Sequence, residues 1–160
     1  ADDAATMLAD YLAKFPDSPL VPEVRLGLVA AKLRGGRWND AVTELDSWVA
    51  AYTNHPSLPR AEFDRWWAST QAGLATNAVQ QVAELAARYP TNQMVLTAQL
   101  WLAGHFHNLG DYARAEQACV NVVTNTLWKG RPEWYQARLW AAESARRRGA
   151  WGNATNHLFD

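Results

Sequence analysis

The chain of 160 residues is 49% hydrophobic and 19% charged, a composition typical of a globular protein that buries a sizeable core. Its net charge of −1 creates no overall field that would attract nucleic acid or an anionic membrane, which argues against a general polyanion binder. The sequence lacks a run of about 18 apolar residues, so we predict no transmembrane helix within it.

A period of 37 residues runs through the chain. This interval separates Gly36 from Gly73 and Gly73 from Gly110. The same interval relates a column of alanines, Ala4, Ala41, Ala78 and Ala115, and a column of apolar residues, Leu8, Leu45, Val82 and Cys119. Coincident columns at one period indicate an internal repeat. We interpret each repeat as two helices joined by a glycine turn, and Cys119 as a small buried hydrophobic residue.

In chain order, apolar residues at three- and four-residue spacing predict nine helices, separated by glycine turns and proline connectors. The predicted helices cover residues 1–15, 21–34, 38–52, 58–72, 78–89, 92–106, 115–123, 132–148 and 151–160. At the first turn we expect both Gly35 and Gly36 to adopt positive φ. Gly149 follows Gly110 by 39 residues rather than 37, because the connector 127–131 is two residues longer.

These helices group into a half repeat, three complete repeats and a truncated repeat. Their ranges are 1–16, 21–53, 58–90, 92–126 and 132–160. We expect one helical repeat domain that belongs to a longer protein.

The turn Gly110-Asp111-Tyr112, the alanine Ala115 that follows it and the prolines Pro16 and Pro90 resemble the tetratricopeptide repeat family. The resemblance covers nearly the whole chain. It implies an all-α protein, a right-handed superhelical solenoid of antiparallel helix hairpins with about nine helices. It also implies a non-catalytic scaffold that binds other proteins.

The ends of two repeats, Phe15-Pro16 and Tyr89-Pro90, are similar to those of a bacterial envelope subset of these repeats. Tol-Pal accessory proteins and outer-membrane assembly lipoproteins belong to that subset, although many cytoplasmic bacterial repeat proteins share such ends. The similarity favours the periplasm or cell envelope over the cytoplasm.

Antiparallel helices approach closely only where side chains are small. We therefore expect Ala103 to face Ala115, and Ala142 to face Ala154. The aromatic residues of the turn column are expected to fill the wedge between hairpins: Trp38, Tyr112 and Trp151. The second hairpin departs from this pattern, with Trp66 in the column of Ala103 and Ala75 in the column of Tyr112.

In this fold the first helices of successive hairpins line a concave face, so their equivalent positions predict a groove. The candidate groove residues form an apolar floor and a polar rim: Phe63, Trp67, Gln71, Leu100, His107, Asn108, Leu139, Glu143, Arg146 and Arg147. Such a surface suits a peptide or a partner helix. The alternative is that Leu26, Phe63 and Leu100 pack against neighbouring helices. The floor lacks the Lys and Asn of a chaperone-type carboxylate clamp, so we do not predict binding of chaperone tails.

Motifs for catalysis are weak. His105 and His107 are two residues apart, which points them to opposite sides of a helix, so they cannot bind one metal ion together. The sequence has no Gly-rich phosphate loop and no metalloprotease histidine motif. We predict no enzyme activity, no cofactor and no metal site.

Three further features leave alternatives open. The run of Arg146, Arg147 and Arg148 suits a solvated helix end, and the alternative is an acidic partner segment. Apolar residues in 1–15 and 150–160 suggest self-assembly through the terminal repeats. Among nine tryptophans we expect Trp67, Trp128 and Trp134 to be exposed, which would suit a carbohydrate ligand.

Overall fold

The computed structural model describes the backbone of residues 2–74 and 78–159, and the side chains of 4–74 and 78–159. Within these residues the chain has nine α-helices and no strand. The helices are α1 (Asp2–Lys14), α2 (Val21–Arg34), α3 (Trp38–Ala51), α4 (Leu58–Gln71), α5 (Ala78–Arg88), α6 (Gln93–Asn108), α7 (Tyr112–Val123), α8 (Pro132–Arg147) and α9 (Trp151–Phe159). The predicted all-α class is confirmed. Ala75, expected in the wedge column, lies outside the described residues.

Glycines in the left-handed conformation form the turns between paired helices. Gly36, Gly73, Gly110 and Gly149 have φ between 68° and 79°. At each turn the next residue donates its backbone N–H to the carbonyl five residues earlier, as Asp111 does to Phe106 at 2.9 Å. This is a Schellman motif, which needs positive φ and therefore favours glycine. The prediction for Gly35 is wrong: its φ is −84°, because Gly36 alone occupies the left-handed position.

The chain divides into two compact units, Ala1–Gln81 and Val82–Asp160, and the boundary falls within α5. In the first unit, α1 packs on α2, α2 on α3, and α3 on α4. In the second unit, α7 lies between α6 and α8, α8 also packs on α9, and α6 contacts α8 directly. In the part of the chain that the structure describes, no helix is long and apolar enough to cross a bilayer.

Trp48 is the centre of the core of the first unit. Its side chain is fully buried, and its indole Nε1 donates a hydrogen bond of 2.8 Å to the carbonyl of Pro22 at the start of α2. The rings of Tyr52 and His55 lie 5.0 and 5.3 Å from it. The smaller members of this core are Val29, Ala41, Leu45, Ala61 and Ala68. One indole thus fills volume and satisfies a polar group between two helices.

The alanines expected at the helix crossings of the second unit lie mostly in its core. Ala103, Ala115 and Ala142 are buried, and Ala154 is half-buried. Cys119 is also buried, which confirms its interpretation as a core residue. Burial, together with the nearby charge of Glu116, raises the pKa of the Cys119 thiol to about 12. The thiol therefore stays protonated and unreactive near neutral pH.

The predicted exposure is wrong for two of three tryptophans, whereas the third, Trp67, is half-buried. Trp128 and Trp134 are buried, and the indole of Trp134 donates a hydrogen bond of 3.0 Å to the carbonyl of Val123 at the end of α7. The two extra connector residues help to form a short 3₁₀ helix, Thr126–Trp128, that places Trp128 inside. Conversely, Trp151 is 64% exposed rather than in a wedge, because α8 is the only described helix that packs extensively against α9.

The indole of Trp48 can be tested by substitution. We expect Trp48→Phe to lower the free energy of unfolding by about 1–3 kcal/mol, because it loses a buried hydrogen bond and leaves a small cavity. The matched control Trp151→Phe changes an exposed indole and should cost less than about 0.5 kcal/mol. Urea unfolding followed by circular dichroism measures both, and equal effects of the two substitutions would contradict this description of the core.

Candidate functional site

The second unit contains a pocket of about 350 Å³ between α6 and α8. These are the first helices of two successive hairpins, which is where the repeat pattern predicted a groove. We call this cavity the α6–α8 pocket. It is lined by Ala103, Gly104, His107 and Asn108 of α6 and by Trp140, Glu143 and Ser144 of α8.

Gly104 leaves open space in the pocket beside Trp140. A Cβ placed at this position would meet only the Trp140 ring, at 3.7 Å. A glycine inside a helix costs about 1 kcal/mol of stability relative to alanine. Here the missing side chain leaves room beside a tryptophan that is 39% exposed. The result is an apolar wall with open space in front of it.

Glu143 lines the pocket, and an arginine pair of the same helix holds its carboxylate beside the rim. Arg146 donates two hydrogen bonds of 2.7 Å to Glu143, one to each carboxylate oxygen. Arg147 donates a third, of 2.8 Å, to Oε1. The hydrogen bonds from Arg146 and then Arg147 lower the pKa of Glu143 to about 2. We call Arg146, Arg147 and Glu143 the trio. It carries one net positive charge, because two guanidinium groups share one carboxylate.

Two polar residues of the last turn of α6 complete the rim. The His107 ring lies 5.1 Å from the Tyr112 ring of α7, in an edge-to-face arrangement, and Asn108 is exposed. His105 stacks on Trp101 with ring centroids 5.0 Å apart and does not line the pocket. Over the described residues, no group of three or more His, Cys, Asp or Glu side chains could hold a metal ion.

The structure brings together part of the predicted groove set. His107, Asn108 and Glu143 line the α6–α8 pocket, and Arg146 and Arg147 contact Glu143. Leu100 is half-buried and Leu139 is 60% exposed, and neither lines the pocket. Its apolar wall is instead formed by Trp140, which the repeat columns did not single out, together with Ala103 and Gly104.

Three predicted groove residues lie on α4 in the first unit. The rings of Phe63 and Trp67 are half-buried and lie 5.5 and 6.1 Å from the ring of Trp66. Gln71 is exposed at the end of the helix. Both of these ring contacts are made within α4.

A second ionic cluster anchors α9 and engages the third arginine of the run. Glu116 of α7 is 6% exposed and accepts a hydrogen bond of 2.6 Å from Arg148 Nε. His157 Nε2 lies 2.9 Å from its carboxylate, and Asn153 Nδ2 donates at 3.3 Å. Burial opposes ionisation of Glu116, but the hydrogen bonds from Arg148 and His157 outweigh it and lower its pKa. Arg148 is therefore held away from the pocket rim.

The lowered pKa of Glu116 gives a pH-dependent contribution to stability. Because the carboxylate is the form stabilised by folding, this contribution is fully present above the ordinary glutamate pKa of 4.5 and is lost as the pH falls through the lower folded value. We expect Glu116→Gln to cost about 1–3 kcal/mol at pH 7, with the difference from wild type shrinking below pH 4.5. Urea unfolding between pH 2 and 7 measures it, and a difference that stays constant would contradict the assignment.

Comparison with known proteins identifies the fold. The sequence matches no family model and no curated protein. Among solved structures, a tetratricopeptide repeat protein from Parabacteroides merdae is 19% identical with a TM-score of 0.68, over 96% of this chain and 56% of that one. A putative kinesin light chain from Podosopora anserina with nearly identical TPR-like repeats is 19% identical with a TM-score of 0.72, over 98% and 82%. The MamA protein is 15% identical with a TM-score of 0.63, over 99% and 90%.

These similarities show that the chain has the tetratricopeptide-repeat fold, as the turn and alanine columns predicted. The chain spans 56% of the length of the Parabacteroides merdae protein. Sequence identities of 15–19% establish the fold and carry no assignment of partner or activity.

Proposed function

We propose that this chain is a non-catalytic protein-interaction scaffold, and that its α6–α8 pocket receives a side chain of a bound peptide or partner helix. The observation that carries the proposal is the pocket itself. Trp140 provides a partly exposed aromatic wall, Gly104 leaves space in front of it, and polar residues surround the opening. The repeat fold supports this function because stacked hairpins present the faces of their first helices for binding.

The pocket suits one apolar side chain. Its volume of about 350 Å³ accommodates a leucine or phenylalanine side chain. Burying such a group contributes about 1.5–3 kcal/mol, and a tryptophan beside a pocket is a frequent hot spot of binding energy. His107 and Asn108 lie where they can hydrogen-bond the backbone of the bound segment and fix its register.

The groups around the pocket favour binding over catalysis. Glu143 has both oxygens bound by arginines, and with a pKa of about 2 it cannot act as a general acid near neutral pH. The thiol of Cys119 is buried and protonated. The carbohydrate alternative also loses support, because Trp128 and Trp134 have no exposed face on which a sugar could stack.

Filling the pocket tests the proposal. The probe is a peptide selected from a random displayed library on the wild-type chain. We expect Gly104→Leu to weaken its binding at least about tenfold, because the new side chain occupies the space of the anchor. Fluorescence anisotropy with the labelled peptide measures the dissociation constant, and circular dichroism confirms that the helices are retained.

Two matched variants control for side effects. Gly104→Ala adds only a methyl group at ordinary contact distance and should keep binding within about twofold while stabilising the helix. Gly152→Leu makes the same substitution on α9, where no atom lies within 4 Å of the added Cβ, and should not change binding. If Gly104→Leu binds the peptide as tightly as these controls, the pocket is not the binding site.

A further inference from the structure

The arginine pair beside the rim, Arg146 and Arg147, already binds a carboxylate of its own chain, that of Glu143. We propose that Glu143 is an internal competitor for Arg146 and Arg147, and that the site selects partner segments in which an acidic residue lies within one helical turn of the apolar anchor. This inference rests on the function proposed above. The partner carboxylate and Glu143 compete for the same guanidinium N–H groups, so Glu143 restrains the affinity of the scaffold for acidic segments.

The exposure of the trio makes this exchange feasible. The side chains of Arg146 and Arg147 are 49% and 50% exposed, and that of Glu143 is 37% exposed. Ion pairs this exposed are weak because water and salt compete with them, so replacing one carboxylate by another costs little. The contact between the trio and the pocket is direct, since Glu143 itself lines the pocket.

The arginines have reasons to remain in place when Glu143 is displaced. Both lie in the last turn of α8, where the helix dipole stabilises positive charge. The fork of Arg146 already holds a carboxylate through Nε and Nη2, which is the bidentate geometry that an aspartate or glutamate side chain of a partner would need.

Charge balance favours an acidic partner. The trio carries one net positive charge, and Arg148 does not add to it because it pairs with the buried Glu116. Binding of one partner carboxylate would cancel this charge, because two guanidinium groups would then lie among two carboxylates. An amide in its place would leave the excess charge unmatched. The arrangement therefore discriminates between an acid and its amide at the same position of the peptide.

The experiment compares two peptides on three proteins. The peptides are the one selected on the wild-type chain and the same peptide with its acidic residues replaced by the corresponding amides. We expect Glu143→Gln to bind the acidic peptide about three- to fivefold more tightly than wild type, and the amide peptide unchanged. Glu133→Gln is the matched control, since it makes the same charge change at the other end of α8, outside the pocket, and should leave both affinities unchanged.

The outcomes separate this inference from the proposed function. If Gly104→Leu abolishes binding but Glu143→Gln leaves the affinity for the acidic peptide equal or weaker, the pocket binds peptides and the competitor role of Glu143 is wrong. A selected peptide without acidic residues would overturn the inference in the same way. If Gly104→Leu has no effect, the proposed site fails, whatever Glu143→Gln does.

Discussion

The left-handed glycine between paired helices is the constraint on which the repeat depends. Gly110 and Gly149 take φ values of 75° and 79° and let each chain segment reverse in a Schellman motif. The turn also fixes where the polar rim lies, because His107 and Arg146 provide the carbonyls that accept the glycine N–H groups. The rim of the α6–α8 pocket is thus the last turn of two helices that end at equivalent glycines.

Small residues extend this constraint from the core to the surface. Ala103, Ala115 and Ala142 allow α6, α7 and α8 to pack closely. Gly104 is the next residue after Ala103 and lies at the surface of α6. There the lack of a side chain leaves space in the pocket. Trp140 provides the apolar area that the small residues lack. Close packing inside and the α6–α8 pocket outside therefore depend on small residues at adjacent positions of α6.

The ionic groups divide into two sets with different roles. Glu116 is buried and connects α7 to α9 through Arg148, Asn153 and His157, so its charge is compensated within the fold. Glu143 is partly exposed, and its partners are neighbours on its own helix. A buried, multiply bonded carboxylate is costly to disturb, whereas an exposed one exchanges readily. This contrast is why we assign a structural role to Glu116 and propose a binding role for the rim.

The sequence predicts the local constraints of this fold well. Glycine turns, buried alanines and the burial of Cys119 follow from requirements for backbone conformation and volume that each repeat satisfies by itself. For the same reason, most predicted helix ends lie within about two residues of the observed ends.

The positions of the tryptophans depend on tertiary contacts that the period does not contain. Trp134 is inside because a carbonyl at the end of α7 accepts its indole N–H, and Trp128 because the longer connector folds into a 3₁₀ helix. The pocket wall was missed for a geometric reason. One residue on a helix turns the side chain by about 100°, so Trp140 faces the pocket while Leu139 of the predicted column does not.

The central claim is that a partner side chain packs against Trp140. The most direct measurement is fluorine NMR of the chain labelled with 5-fluorotryptophan, with the Trp140 signal assigned from the Trp140→Phe variant. On saturation with the selected peptide, the Trp140 signal should shift, while the signals of the buried Trp48 and Trp134 should stay in place. A Trp140 signal that does not move while that of another tryptophan, such as the exposed Trp151, does would contradict the proposed site.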